Sequence, residues 1–199
     1  YTIVSYGDVD IAYIGITTPH TITFSSPAQF KDESGEYIYT FNPTALYDFV
    51  QDAIDSAKSE GADYVIALSH IGYADDEIYG DLEDIEDLIG NTDGFDVVLD
   101  AHSHSVIEGK TVVDEGGNEV LLSSTGTKFE YIGKLTISDG EFKTELINTA
   151  EYQKTDPDID SYIEKINAEY AVLGDRKVAF SEVDLITQDA DGNLYHCIT

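Results

Sequence analysis

Short apolar runs alternate with polar segments along the chain, and their spacing predicts strands that alternate with helices. The runs at 1–6, 11–16, 64–69 and 96–99 are rich in β-branched and aromatic residues, as strands are. The pair Asn42–Pro43 is typical of a helix start. Apolar residues then recur at helical spacing at Leu46, Phe49, Val50, Ala53, Ile54 and Ala57. This β-α-β order predicts an α/β (α+β) fold with a parallel or mixed sheet.

The pattern changes after residue 82. An acidic helix is predicted around Leu82 and Ile89, and shorter strands follow at 110–113, 120–124, 131–138 and 142–148. Asp156–Pro157 predicts the start of a third helix that ends near Gly174, and a last strand is predicted at 177–185. The segment 17–35 is interpreted as a polar loop. We therefore expect one domain over 1–150, a connecting helix over 151–176 and the start of another unit at 177–199.

Three of the five histidines come at the ends of predicted strands. His70 ends the run 64–69, and His102 and His104 follow the run 95–99 in the segment Asp100-Ala101-His102-Ser103-His104. Ligands of α/β proteins usually bind at the carboxyl ends of strands. Residues two apart in an extended segment also point the same way. These positions predict a site for one or two metal ions.

The other polar residues near this segment are less specific. Asp100 precedes the paired histidines and could orient one of them through a hydrogen bond; a turn-forming role at the strand end is the alternative. His20 and His196 are interpreted as incidental.

Composition narrows the function classes. The 199 residues include 40 acidic and 10 basic residues, and the net charge of −30 argues against nucleic acid and against anionic membrane surfaces as partners. The chain has no run of about 18 apolar residues, so membrane insertion is not expected. A phosphate-ester substrate would need metal ions to offset its charge. The chain begins at Tyr1 inside a strand-like run without Met, which predicts a piece of a longer protein.

Several motifs, in this order, resemble the calcineurin-like metallophosphoesterase domain of 5′-nucleotidases and of UDP-sugar or cyclic-nucleotide hydrolases. They are the segments 14–19, 66–70, 96–104, 124–126 with 131–133, and 182–185. The resemblance implies that 1–150 is the C-terminal half of a four-layer αββα metallophosphoesterase sandwich with mixed sheets. It also implies that 151–176 is a linker helix and that 177–199 is the truncated start of the 5′-nucleotidase C-terminal domain. One departure is Ala101, where the family usually has glycine.

The same resemblance implies a centre of two divalent metal ions. His70 and His102 would bind the second ion and His104 the first, with Zn²⁺ or Mn²⁺ most suitable for imidazole ligands. The family's catalytic histidine and bridging aspartate would lie before Tyr1, so no catalytic residue is assigned in this chain.

The activity implied is hydrolysis of nucleotides or related phosphate esters by a metal-bound hydroxide. The partners implied are the substrate, the missing N-terminal half and the C-terminal domain, and the location implied is extracellular, periplasmic or cell-wall associated. This piece alone is expected to be inactive or nearly so.

Three other functions remain open at this stage. The chain could be a non-catalytic acidic metal-binding or structural module of a secreted or cell-wall protein. A sulfur-ester hydrolase of the same fold would have similar ligands. A metallo-β-lactamase-like enzyme is disfavoured, because its His-x-His-x-Asp-His run is replaced after His104 by Ser105-Val106-Ile107.

Overall fold

The computed structural model describes residues 1–41, 45–73, 84–177 and 179–180. Within these residues the strands are β1 (Thr2–Tyr6), β2 (Val9–Thr17), β3 (Tyr64–His70), β4 (Val97–Asp100), β5 (Val106–Val113), β6 (Glu119–Thr125), β7 (Tyr131–Ser138) and β8 (Glu141–Asn148). The α-helices are α1 (Thr21–Phe24), α2 (Leu46–Ser59), α3 (Ile85–Gly90) and α4 (Pro157–Gly174). The chain divides into two compact units, Tyr1–Tyr152 and Gln153–Thr199.

Six strands form a mixed sheet in the order β1-β2-β3-β4-β6-β5. Strands β2, β3, β4 and β6 are parallel to one another, whereas β1 and β5 pair antiparallel at the two edges. The register sets Ala67 opposite Ile14 on one side and Val98 on the other. The α/β class predicted from the sequence is confirmed.

One face of the sheet is covered by helices. Helix α2 buries Val50, Ile54 and Ala57, which recur at helical spacing, against this face. Helix α3 buries Ile85, Leu88 and Ile89 in the same core. Its start is fixed by a capping box, in which the Asp84 carboxylate accepts the backbone N–H groups of Glu86 and Asp87.

The other face of the sheet packs against the hairpin of β7 and β8. Here Ile66 and Val97 of the sheet form a second core with Leu135, Ile137 and Phe142 of the hairpin. Helices, the six-stranded sheet and a second, two-stranded sheet therefore lie in successive layers, which is the order of layers in an αββα sandwich.

The second unit contains α4. Asp156 caps this helix by accepting the backbone N–H groups of Asp158 and Ile159, and Pro157 occupies the first turn, so the predicted helix start is confirmed. Among the helices that the structure describes, none has the length and apolar content needed to cross a bilayer.

Some boundaries differ from those predicted. Strand β5 begins at Val106 rather than at 110. The sequence pattern missed its first four residues because they are only half-buried or exposed and do not form an apolar run. The segment 17–35 is not only a loop, since it contains α1 and a 3₁₀ turn at Pro27–Phe30. Asn42–Pro43, Leu82 and most of the predicted strand 177–185 lie outside the described residues.

Candidate metal centre

The predicted site residues lie at one edge of the six-stranded sheet. Because β2, β3, β4 and β6 are parallel, their carboxyl ends meet there, at Thr17, His70, Asp100 and Thr125. Along β3 the side chains alternate between faces: Ala67 packs in the helix-side core and Ile66 in the hairpin-side core. His70 has the phase of Ile66, so its imidazole lies on the hairpin side of the edge.

His70 and His102 are brought together at this edge. Their ring centroids are 4.9 Å apart with an angle of 56° between the ring planes, and the Nε2 atom of His102 is buried. Burial lowers the pKa of His102, and His70 and His20 nearby lower it further. The neutral imidazole favoured in this way is the form that binds metal, so this pair has the donor chemistry for a divalent ion such as Zn²⁺.

Gly72 fits closely against His102. A Cβ atom at Gly72 would lie 3.3 Å from Cδ2 of His102, and Gly72 has a φ of +103°, which disfavours any other residue. The absence of a side chain at this position therefore lets the His102 ring approach the end of β3.

The loop that carries His102 and His104 is not extended, contrary to the expectation from sequence. His102 has a φ of 82° and His104 a φ of 58°, both in the left-handed region, which costs on the order of 1 kcal/mol for each residue. After β4 the chain must cross the end of β6 to reach β5 at the sheet edge, and the Gly126 N–H donates to the Ser105 carbonyl at 2.9 Å on this path. The segment 102–104 therefore turns instead of running extended, and the imidazoles of His102 and His104 do not point the same way as an extended segment would require.

His104 is not gathered into a ligand cluster. Within residues 1–41, 45–73, 84–177 and 179–180, no group of three or more His, Cys, Asp or Glu side chains is placed to hold a metal ion. The structure thus brings together two of the three predicted ligands, and the role of His104 stays a prediction.

Asp100 acts on the backbone that follows His70. Asp100 is 7% exposed, and the two oxygens of its carboxylate accept the N–H groups of Ile71 at 3.1 Å and Gly72 at 3.0 Å. Burial raises the pKa of Asp100, although several hydrogen bonds, among them those from Ile71 and Gly72, oppose the shift. Asp100 therefore fixes the turn between His70 and Gly72, while its predicted hydrogen bond to a histidine ring stays a prediction.

His20 lies beside the site, and its interpretation as incidental stays a prediction. The imidazole packs edge-on against Phe24 with ring centroids 5.1 Å apart, and the Phe24 ring lies 6.2 Å from that of His102. His20 also follows the end of β2 by three residues. The rule that ligands bind at the carboxyl ends of strands would have found it, had it been applied to β2. His196 lies outside the described residues.

A cavity of about 340 Å³ adjoins His70 on the hairpin side of the sheet. Its volume is in the range of small-molecule sites. It is lined mainly by apolar and small polar residues, which include Leu68, Leu99, Ser123, Leu135 and Thr144 together with His70. His70 therefore faces a space in which a ligand of modest size could be held.

Comparison with known proteins identifies the fold. No protein-family model and no curated protein matches the sequence, but solved structures do. One is a 5′-nucleotidase precursor from Thermus thermophilus, 22% identical, with a TM-score of 0.66 over 94% of this chain and 37% of its own. Another is the calcineurin-like phosphoesterase YfkN from Bacillus subtilis, 21% identical, with a TM-score of 0.55 over 85% of this chain and 54% of its own.

A third structure is the NAD nucleotidase of Haemophilus influenzae, 16% identical, with a TM-score of 0.51 over 74% of this chain and 29% of its own. The chain thus has the fold of the calcineurin-like phosphoesterases. More particularly, it has the fold found in 5′-nucleotidases, and the resemblance predicted from the sequence is confirmed at this level. The chain spans between about a third and a half of the length of these structures.

Proposed function

We propose that this chain is the C-terminal part of a metal-dependent phosphoesterase domain that hydrolyses nucleotides or related phosphate esters. The observation that carries the proposal is the pair of imidazoles, His70 and His102, whose rings lie 4.9 Å apart at the carboxyl edge of the sheet. The fold supports it, because the similar structures are a 5′-nucleotidase, a calcineurin-like phosphoesterase and an NAD nucleotidase.

In this proposal His70 and His102 hold one divalent ion and His104 contributes to a second. Imidazole nitrogens favour Zn²⁺ or Mn²⁺ over Mg²⁺ or Ca²⁺. When bound, such ions activate a water molecule and offset the charge of a phosphoryl group. Asp100 positions the backbone after His70 through two hydrogen bonds. The remaining ligands and the catalytic residues would come from parts of the domain outside this chain.

The acidic charge of the chain supports a role for metal ions in this proposal. With 40 acidic residues against 10 basic ones, the protein as a whole repels a phosphate ester. Divalent ions at the histidine pair would reverse the sign of the local field where the substrate binds. An extracellular, periplasmic or cell-wall location is part of the proposal and is compatible with the acidic composition.

Calorimetric titration of Zn²⁺ and Mn²⁺ into the chain tests the proposal. We expect the double variant His70→Ala/His102→Ala to bind zinc at least about tenfold more weakly, since both proposed ligands of one ion are gone. His196→Ala removes a histidine that the proposal does not use and serves as the matched control. Equal zinc affinity in the double variant and the control would show that the carboxylates bind the metal nonspecifically, and would contradict the proposal.

A further inference from the structure

Hydrogen bonds join the two loops that carry the proposed metal pair. One loop follows His70 at the end of β3, and the other follows β4 and carries His102. The carboxylate of Asp100 accepts the first two backbone N–H groups after His70. The third N–H group, that of Tyr73, donates to the hydroxyl oxygen of Ser103 at 2.9 Å. Three successive N–H groups of the first loop are thus bound by side chains of the chain segment around His102.

Ser103 lies between two residues with an unusual backbone conformation. His102 before it and His104 after it have left-handed φ angles of 82° and 58°, which residues other than glycine rarely adopt. The Ser103 hydroxyl also hydrogen-bonds the hydroxyl of Ser105 at 2.9 Å. Because a hydroxyl can accept one hydrogen bond and donate another, Ser103 can make both contacts at once. Ser103 therefore ties this turn both to Tyr73 and to the next part of its own loop.

Tyr73 is itself anchored to other elements of the same unit. Its hydroxyl accepts a hydrogen bond from Nζ of Lys110 at 2.8 Å, and the same ammonium group lies 4.8 Å from the centroid of the Tyr73 ring. Lys110 belongs to β5 and forms an ion pair with Glu86 of α3. The Tyr73 side chain thus holds the end of the first loop against β5 and α3. The bond to Ser103 extends this constraint to the loop of His102.

We propose that Ser103 is a positioning residue for the metal centre, and that its hydroxyl sets the separation of His70 and His102 by joining their loops. The two imidazole centroids are 4.9 Å apart. Without the bond to Tyr73, the unusual turn at His102 would relax and its ring would move relative to His70. Ligands that are held in place before the ion arrives bind it more tightly. This inference rests on the proposed function, because the separation of the two rings matters only if they share a metal ion.

Calorimetric titration of zinc into three serine variants tests the inference. Ser103→Ala removes the acceptor of the Tyr73 N–H, and we expect zinc to bind roughly tenfold more weakly, as is typical when a residue that orients a ligand is lost. Ser103→Thr keeps the hydroxyl and should restore most of the affinity. Ser105→Ala removes a hydroxyl of the same loop but leaves the bond between Ser103 and Tyr73 in place, so it should change the affinity much less.

Cobalt in place of zinc gives a second readout. The visible absorption of bound Co²⁺ depends on the geometry of its ligands. Ser103→Ala should therefore change the cobalt spectrum, whereas Ser103→Thr should keep the spectrum of the unaltered chain.

Thr92→Ala is the control for a general loss of stability. The Thr92 hydroxyl is buried and donates to the Leu88 carbonyl at 2.8 Å. Thr92 precedes β4, so it lies at the opposite edge of the sheet from the histidines. This variant should lower the Tm without changing the zinc affinity or the cobalt spectrum.

Four outcomes would count against the proposals. Normal zinc affinity and a normal cobalt spectrum in Ser103→Ala, with zinc binding lost in His70→Ala/His102→Ala, would overturn the inference and leave the proposed function standing. Equal losses of zinc affinity in Ser103→Ala and Thr92→Ala would show a general effect of destabilisation and would also overturn it. So would a Ser103→Thr variant with the Tm of the unaltered chain but the zinc affinity of Ser103→Ala. Zinc binding that does not need His70 and His102 would overturn the proposed function and, with it, this inference.

Discussion

Replacing Asp100 by Asn should destabilise the fold by roughly 2 kcal/mol. The carboxylate accepts the N–H groups of Ile71 and Gly72 with separate oxygens, in a buried position. An amide keeps one acceptor, so one N–H would face the donor side of the Asn side chain and lose its partner. Losing a hydrogen bond to a buried charged group costs about 1.5–3 kcal/mol. Part of this cost is offset because the variant no longer buries a charge. Burial of that charge is what raises the pKa of Asp100.

The assay is thermal unfolding followed by circular dichroism at neutral pH. For a unit of this size, about 2 kcal/mol corresponds to a fall in Tm of roughly 4–8 °C. Asp8→Asn changes an exposed turn carboxylate between β1 and β2 and should shift the Tm by less than about 1 °C. If Asp100→Asn behaved like Asp8→Asn, the two hydrogen bonds would not hold the turn after His70, and the reasoning would be refuted.

Two further variants test other features of the structure. Gly72→Ala should lower the free energy of unfolding by about 1–2 kcal/mol and weaken zinc binding. The new residue would have a strained φ, and its Cβ would press on the His102 ring. Unchanged stability and zinc affinity would contradict this. Asp114→Asn should lower the free energy of unfolding at neutral pH. The difference in this free energy between the unaltered chain and the variant should disappear as the pH falls below 3.8. Although burial raises the pKa of Asp114, hydrogen bonds outweigh it and hold the pKa below the ordinary 3.8. The stabilising contribution of Asp114 is therefore present above pH 3.8 and lost as the pH falls through the lowered pKa. Urea unfolding at several pH values checks this. A difference in unfolding free energy that grew in acid would refute it.

The sequence predicted those parts of the fold whose residues alternate or recur clearly. The apolar run that forms β3 and the helical spacing of Val50, Ile54 and Ala57 follow directly from packing on a half-buried face. Because β strands separated by a helix are usually parallel, the sequence also predicted that His70 and the 100–104 segment would meet at one edge.

The remaining features depend on contacts that no local pattern encodes. The left-handed φ at His102 and His104 is unusual for residues other than glycine, and only the path over the end of β6 requires it. Helix α1 has four residues, too few for a period to be read from the sequence, so the meeting of His20, Phe24 and His102 was not foreseen. The position of His104 relative to a metal ion remains a prediction.

The separation along β3 between core residues in the middle and His70 at the end has a consequence for how such proteins diverge. Residues that stabilise the sheet, such as Val65 and Ala67, sit in its middle, whereas His70 lies at its end. Aliphatic core residues can be exchanged for one another at small cost when their total volume is kept. The carboxyl edge of the sheet, by contrast, is followed by short polar loops, and loops tolerate change. Mutations can thus accumulate in the core and in the loops at the carboxyl edge almost independently. This is how chains only 16–22% identical can keep one fold while these loops are free to acquire different ligands.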